Sequence, residues 1–184
     1  RDFCLSRGLG DVYKRQPYFS APKMAWILQN EPGAAELAEK NELCFGTIDS
    51  FLVSHLTEEK AFKTDYSNAS RTQLFNIHTL QWDEELCRIY GVPETCLPEV
   101  CMSDSVFGYT TFGGLLKTPI PLCGVLGDSH AALLGQNCRT PGQTKATYGT
   151  GSSVMMQTGG RLVTSNCGLV TSLALGLDGR VEYV

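Results

Sequence analysis

The chain has 184 residues, 42% of them hydrophobic and 18% charged, with a formal net charge of -4. That is room for one ordinary domain or parts of two, with too much apolar material for a disordered chain. The acidic balance speaks against nucleic acid, whose phosphates require a basic face, and no apolar run approaches the roughly 18 residues of a membrane-spanning helix.

Residues 1–16, ending Asp11-Val12-Tyr13-Lys14-Arg15-Gln16, show neither periodicity nor a secretory pattern of charge followed by an apolar core. They read as a non-native tail and are set aside. The chain starts with Arg1 and stops at Val184 inside an expected strand, so both ends read as cut.

Ser20 is expected to cap a helix with Pro22 in its first turn and Met24, Ile27 and Leu28 on one face. Pro32-Gly33 ends it, and a second helix is expected over Ala34 to Glu42. Thr47 then caps a third, whose Ile48, Phe51, Leu52, His55 and Leu56 recur at i, i+3, i+4, i+7 and i+8, an apolar stripe that should face a core and take His55 with it. Asp65 to Arg71 is polar and loop-like. Asp83 to Tyr90 suits a helix with Leu86, Ile89 and Tyr90 inward and Gly91 as its stop.

Pro119 to Gly127 reads as a buried strand that runs into a helix from Ser129 to Asn137. After Asn137 the helical pattern ceases. Thr144 to Tyr148, Ser153 to Gln157, Leu169 to Leu175 and Arg180 to Tyr183 read as strands of a β-meander, with Gly149-Thr150-Gly151 joining the first two and Asp178-Gly179 turning into the last. The change of texture near Pro141-Gly142 divides the chain into a helix-rich α/β part, residues 17–138, and the meander, residues 139–184.

Eight cysteines include no C-x-x-C pair and no nearby histidine cluster, so metal-ligand spacing is absent. Their apolar neighbours, as in Leu122-Cys123-Gly124, point to reduced, buried thiols in a cytoplasmic protein.

Three stretches carry chemistry. In Gly124-Val125-Leu126-Gly127-Asp128-Ser129-His130, Asp128 stands where a strand gives way to a helix, the position that lines the ligand crevice of open α/β sheets. A carboxylate there can accept a proton from a substrate hydroxyl; equally, it can cap the helix. In Tyr148-Gly149-Thr150-Gly151-Ser152-Ser153, a glycine turn can cradle phosphate with backbone N–H groups, or can be an ordinary hairpin. In Tyr18-Phe19-Ser20-Ala21-Pro22-Lys23-Met24-Ala25-Trp26, the aromatic at the helix entry is a pocket wall or a staple against the helix, and spacing favours the staple.

The last of these stretches resembles the signature of the FGGY carbohydrate kinases. Several further runs, in the same order, resemble the family's glycerol kinase branch more than its xylulokinases. They are Phe45-Gly46-Thr47-Ile48-Asp49-Ser50, Thr64-Asp65-Tyr66-Ser67-Asn68-Ala69-Ser70-Arg71-Thr72, Leu74-Phe75-Asn76-Ile77-His78-Thr79-Leu80, Leu97-Pro98-Glu99-Val100, Gly127-Asp128 and Tyr148-Gly149-Thr150-Gly151. The resemblance spans Pro17 to Val184. It implies an actin-like, ribonuclease-H-type α/β fold of two domains closing on a cleft, with this chain holding the end of the first and the opening strands of the second.

The resemblance further implies phosphorylation of a polyol or sugar hydroxyl by ATP with Mg²⁺. Asp128 would be the catalytic base, Gly149, Thr150 and Gly151 the nucleotide-phosphate contacts, and Tyr18, Ser129 and Ser153 would join Asp128 at the polyol. The family's first phosphate loop, Arg-Glu polyol clamp and adenosine pocket lie outside this sequence, so the 184 residues alone are expected to be inactive and poorly folded. The resemblance leaves a homo-oligomer open. Glycerol kinases follow the catalytic Asp with Gln-Gln and the Gly-Thr-Gly turn with Cys-Phe; here the pairs are Ser129-His130 and Ser152-Ser153. A ketose or larger-polyol kinase and a non-catalytic sugar-binding relative are therefore the alternatives to glycerol phosphorylation.

Overall fold

The computed structural model describes residues 18–184; the stretch read as a tail lies outside them. Three helices open the described chain: α1 (Ala21–Asn30), α2 (Ala34–Glu39) and α3 (Ile48–Leu56). The Ser20 side chain does not cap α1, because Ser20 already has helical dihedrals (φ -77°, ψ -37°) and its hydroxyl makes no capping bond. Proline in the first turn sets the start instead. Gly33, at φ 83°, turns the chain into α2.

Helix α3 corrects the expectation of an inward apolar stripe. Ile48, Phe51 and Leu52 are exposed, by 71%, 55% and 47%, while Asp49, Ser50 and Val53 are buried. The inward face is polar because the next strand offers it a donor: Thr64 Oγ1 donates to Asp49 Oδ2 at 2.6 Å. His55 is exposed rather than in a core, stacked on Phe51 at 4.0 Å between ring centroids.

The segment read as a polar loop is strand β1 (Lys63–Asp65) followed by the short helix α4 (Tyr66–Ala69), and Asp65 is fully buried. A small hairpin, β2 (Phe75–Asn76) with β3 (Gln81–Trp82), leads to α5 (Glu84–Tyr90). Helix α5 follows its sequence signals at both ends: Asp83 accepts from the Leu86 N–H at the start, and Gly91 ends it at φ 68°. Leu86 and Tyr90 face inward as expected, but Ile89 is 40% exposed and Cys87 is buried in its stead. Strand β4 (Glu99–Cys101) pairs in parallel with β1. Strand β5 (Gly108–Thr110) pairs antiparallel with β6 (Ile120–Leu122).

Strand β6 is shorter than expected and is not buried in this chain: Ile120 is 43% exposed. Beyond it lie α6 (Asp128–Gly135), the hairpin β7 (Thr144–Tyr148) with β8 (Ser152–Met156), and the hairpin β9 (Leu173–Leu177) with β10 (Arg180–Tyr183). The four strands thus pair two by two rather than as one continuous meander. Asp178 and Gly179 turn the second hairpin at φ 51° and 74°, the left-handed pair that an Asp-Gly turn favours.

Three apolar clusters hold the described chain together. One joins α1, α2 and α5 around Leu74, Leu86, Tyr90 and Val92. A second sets Ala69, Phe75 and Ile77 against Leu173. A third sets Leu133 and Cys138 against Ala174 and Leu175. Strand β9 therefore packs on both α4 and α6, and Tyr183 donates from its hydroxyl to the Ile77 carbonyl at 2.9 Å.

The described cysteines are all free. Cys87, Cys96 and Cys138 are buried, but Cys44, Cys123 and Cys167 are exposed, against the expectation of uniformly buried thiols. Burial pushes the Cys87 thiol up to about 11, which keeps it protonated at neutral pH. Among the described residues no helix is long and apolar enough to cross a membrane.

Candidate functional site

Asp128 is the first residue of α6, not its cap; Gly127 takes the cap position with extended ψ of 143°. Its carboxylate is exposed and accepts from the following Ser129 N–H at 2.6 Å. The glycine before it sits in a tight place. A Cβ on Gly127 would stand 3.0 Å from His130 Nδ1 and 3.4 Å from Ser67 Oγ, so a larger residue needs its neighbours to shift.

What lies behind this turn was missed in the sequence. The Gly127 N–H donates to Ser67 Oγ at 2.8 Å, and Ser67 Oγ donates to Asp65 Oδ1 at 3.0 Å. Asp65 also accepts from the Ser67 N–H, from both the N–H and the side-chain amide of Asn68, and from Ser103 Oγ at 2.7 Å. Five donors on one buried carboxylate replace its hydration shell without a cation. The signal available was the run Thr64 to Thr72, whose polar residues suggested a loop; no local pattern distinguishes a polar loop from a polar segment packed inside.

His130, one helical step past Ser129, is 95% buried, and its Nε2 has no hydrogen-bond partner among the described residues. Burial, then the Arg71 guanidinium, with the Lys145 ammonium adding to it, push its imidazole down to about 4, while Asp65 and Asp128 pull the other way. It is neutral at physiological pH. Lys145, on β7, is fully buried and donates from Nζ to Thr147 Oγ1 at 2.8 Å.

The turn Gly149-Thr150-Gly151 sits at the exposed tip of the β7–β8 hairpin, and β7 packs against α6 at its root. The Gly149 N–H is taken by the Gly151 carbonyl at 3.0 Å, so the turn is partly self-satisfied rather than a row of free amides. Neither glycine has the positive φ that would demand it, and a Cβ on Gly151 would meet nothing within 4 Å. No contact within the described chain requires glycine at 151, and the space beside it is open. Ser153, half-buried, faces Thr147 across the hairpin, and Ser129 is half-buried on α6.

Tyr18 does not act as a staple. It is 71% exposed, and Phe19 is the residue that buries itself. Arg71 lies over both rings, 5.7 Å from the Tyr18 centroid and 4.9 Å from that of Phe19. No hydrogen bond among the described residues joins Tyr18, Asp128 and Ser153. No group of three or more His, Cys, Asp or Glu among the described residues could enclose a metal ion. A Mg²⁺ held by nucleotide phosphates and water needs no such group.

A separate cavity of about 380 Å³ opens between the end of α6 and the β9–β10 hairpin, lined by Leu134, Arg139, Leu175, Asp178, Arg180 and Glu182 among others. Its lining includes none of Tyr18, Asp128, Ser129, Gly149, Thr150, Gly151 and Ser153.

The profile of the FGGY family of carbohydrate kinases, N-terminal domain, matches residues 12–135. The chain is 49% identical to the glycerol kinase of Treponema denticola over 191 aligned positions, covering 99% of this chain and 38% of that protein. It is 54% identical to the glycerol kinase of a Thermoanaerobacter species over 166, covering 90% and 33%. The chain thus spans little more than a third of these relatives. Among solved structures it resembles Plasmodium falciparum glycerol kinase with ADP, with a TM-score of 0.88 and 34% identity over 95% of this chain and 35% of that one. Its fold is also that of the Rhodospirillum rubrum xylulose kinase (TM-score 0.71, 18% identity, 89% of this chain and 33% of that one). The expected α/β, actin-like fold is the one these neighbours share. With the family profile covering well over half its residues, the chain belongs to the FGGY family of carbohydrate kinases.

Proposed function

We propose that this chain supplies the acceptor-hydroxyl side of an ATP-dependent polyol kinase, with glycerol the first substrate and glycerol 3-phosphate and ADP the products. The observation that carries the reading is the placement of Asp128. Its carboxylate is exposed at the start of α6, on a turn anchored from behind, and α6 packs on the strand that carries the Gly149–Gly151 tip. Asp128 accepts the proton of a primary hydroxyl as that oxygen attacks the γ-phosphoryl group in line. The Thr150 hydroxyl and the backbone of Gly149 and Gly151 hold phosphate oxygens. Tyr18, Ser129 and Ser153 line the polyol. Mg²⁺, bound with ATP, neutralises phosphate charge. Positioning does most of the catalysis, since little covalent chemistry falls to the protein.

The reading places the protein in the cytoplasm, allows a homo-oligomer, and assigns residues 17–138 to the family's first domain and 139–184 to its second. A specific observation favours a second substrate class. Ser129 and Ser153 stand where glycerol kinases carry a glutamine and a phenylalanine, which leaves a wider, less apolar pocket suited to a ketose or a longer polyol.

The test is ADP release by the full-length protein carrying this segment, over glycerol, four- and five-carbon polyols and ketoses. Polyol-dependent turnover is expected, and Asp128→Asn should lower kcat by about 10²–10⁴-fold with ATP affinity little changed. Full turnover in the Asn variant would remove Asp128 from the chemistry. Sugar binding by calorimetry without any turnover would replace the kinase reading with a binding one.

A further inference from the structure

The Asp65 carboxylate joins two parts of the chain through two matching relays. On one side Ser67 Oγ donates to Asp65 Oδ1 and accepts from the Gly127 N–H. On the other, Ser103 Oγ donates to Asp65 Oδ2 at 2.7 Å and accepts from the Gly176 N–H at 3.1 Å. Gly127 immediately precedes Asp128; Gly176 lies in β9, which is fixed further by the Ser103 N–H to the Gly176 carbonyl at 2.8 Å. The Val125 N–H also donates to the Ser103 carbonyl at 3.0 Å, so the turn is held from both ends. Both amides lie where a side chain would be crowded. A Cβ on Gly176 would come within 2.9 Å of Tyr66 Cδ2, just as one on Gly127 would meet His130.

A hydroxyl that donates to a carboxylate has its lone pairs turned to the other side, and the charge polarises it into a better acceptor. Each serine therefore accepts from its amide in one direction only. We propose that Asp65 is a positioning residue for Asp128, acting through the Ser67 hydroxyl on the Gly127 N–H, and that through Ser103 the same carboxylate locks β9 to that position. The proposal rests on the reading of Asp128 as proton acceptor. It adds that the acceptor's place is set by a buried charge which itself never meets substrate.

The test uses the full-length protein and two readouts. Displacing a reacting group by about 1 Å costs on the order of 10²-fold. Ser67→Ala should therefore lower kcat by about 10- to 100-fold, with KM for ATP held to within about twofold. Ser67→Thr, which keeps the hydroxyl, should restore most of the loss. Amide hydrogen exchange should show Gly127 and Gly176 protected together in the unmodified protein. Ser67→Ala should release Gly127, and Ser103→Ala should release Gly176.

Unchanged kcat in a folded Ser67→Ala variant whose Gly127 amide has been freed overturns the positioning role. So does a Gly127 amide that already exchanges as fast as the Gly151 amide in the unmodified protein, a result that needs no variant to fold. Failure of the kinase reading looks different: Asp128→Asn keeps its turnover, or no polyol is phosphorylated, while the exchange pattern still decides the relay.

Discussion

The two ends of the candidate site are built in opposite ways. Behind Asp128 five bonds converge on the fully buried Asp65, and a side chain at 127 would crowd its neighbours. At the Gly149–Gly151 tip the chain is exposed, and glycine 151 answers to nothing in the described chain. The contrast teaches that a proton acceptor needs its place fixed in advance, whereas a loop for a bulky anion needs room and takes its final contacts from the ligand. Order at the first end comes from the scaffold; at the second, on the proposed reading, it would come from the bound phosphate.

Removing the order behind Asp128 should produce the largest effect on stability. Asp65→Ala leaves two seryl hydroxyls and the Asn68 amide without their carboxylate acceptor. Buried donors without partners cost about 1–3 kcal/mol each. A loss of about 3–5 kcal/mol is expected in chemical denaturation, and a loss below about 1 kcal/mol would show that the network is not tightly held.

A pH dependence sharpens the same side. His130 has its imidazole pushed down to about 4 from an ordinary 6.5, so the folded state resists a proton that the unfolded state accepts. Between those values the unfolded chain binds more protons and stability falls as pH falls; above 6.5 the contribution is complete. The shift corresponds to about 3 kcal/mol lost by pH 4. His130→Gln should flatten that part of the stability–pH curve while leaving neutral-pH stability closer to the parent. An equally steep curve in the variant would assign the acid sensitivity elsewhere.

The smallest effect on stability belongs to the hairpin tip. Gly151→Ala places its Cβ in open space and should change stability by less than about 0.5 kcal/mol. If the opening serves phosphate, KM for ATP should nevertheless rise by about tenfold, with KM for the polyol unchanged. A variant with both values unaltered would leave the tip as an ordinary turn and erase the functional half of the contrast.

Legibility in the sequence followed a similar divide. Where a few adjacent residues complete the physics, the reading held. Asp83 and Gly91 bracket α5, Asp178-Gly179 turns a hairpin, and the β7–β8 hairpin falls within one residue of its expected limits. The start of a helix at Gly127-Asp128 was also visible, because a glycine and a carboxylate ahead of a helical pattern are local signals, although the strand expected to run into it stops at Leu122. Tyr18 was legible only as an aromatic near a helix start; that Phe19 would do the packing instead depends on what α1 meets.

The sequence by itself thus determined the helix stops, the hairpin turns and the point at which an exposed carboxylate would stand. The tertiary structure alone decided which way α3 faces and what surrounds Asp65. A hydrophobic period specifies that a helix has two faces but not which neighbour awaits each, and Thr64 drew Asp49 inward while Ile48 and Phe51 stayed out. A buried carboxylate is stable only when distant donors arrive together. Those of Asp65 include Ser103, 38 positions away, with the Gly127 and Gly176 amides one bond further out, a convergence that no window along the chain contains.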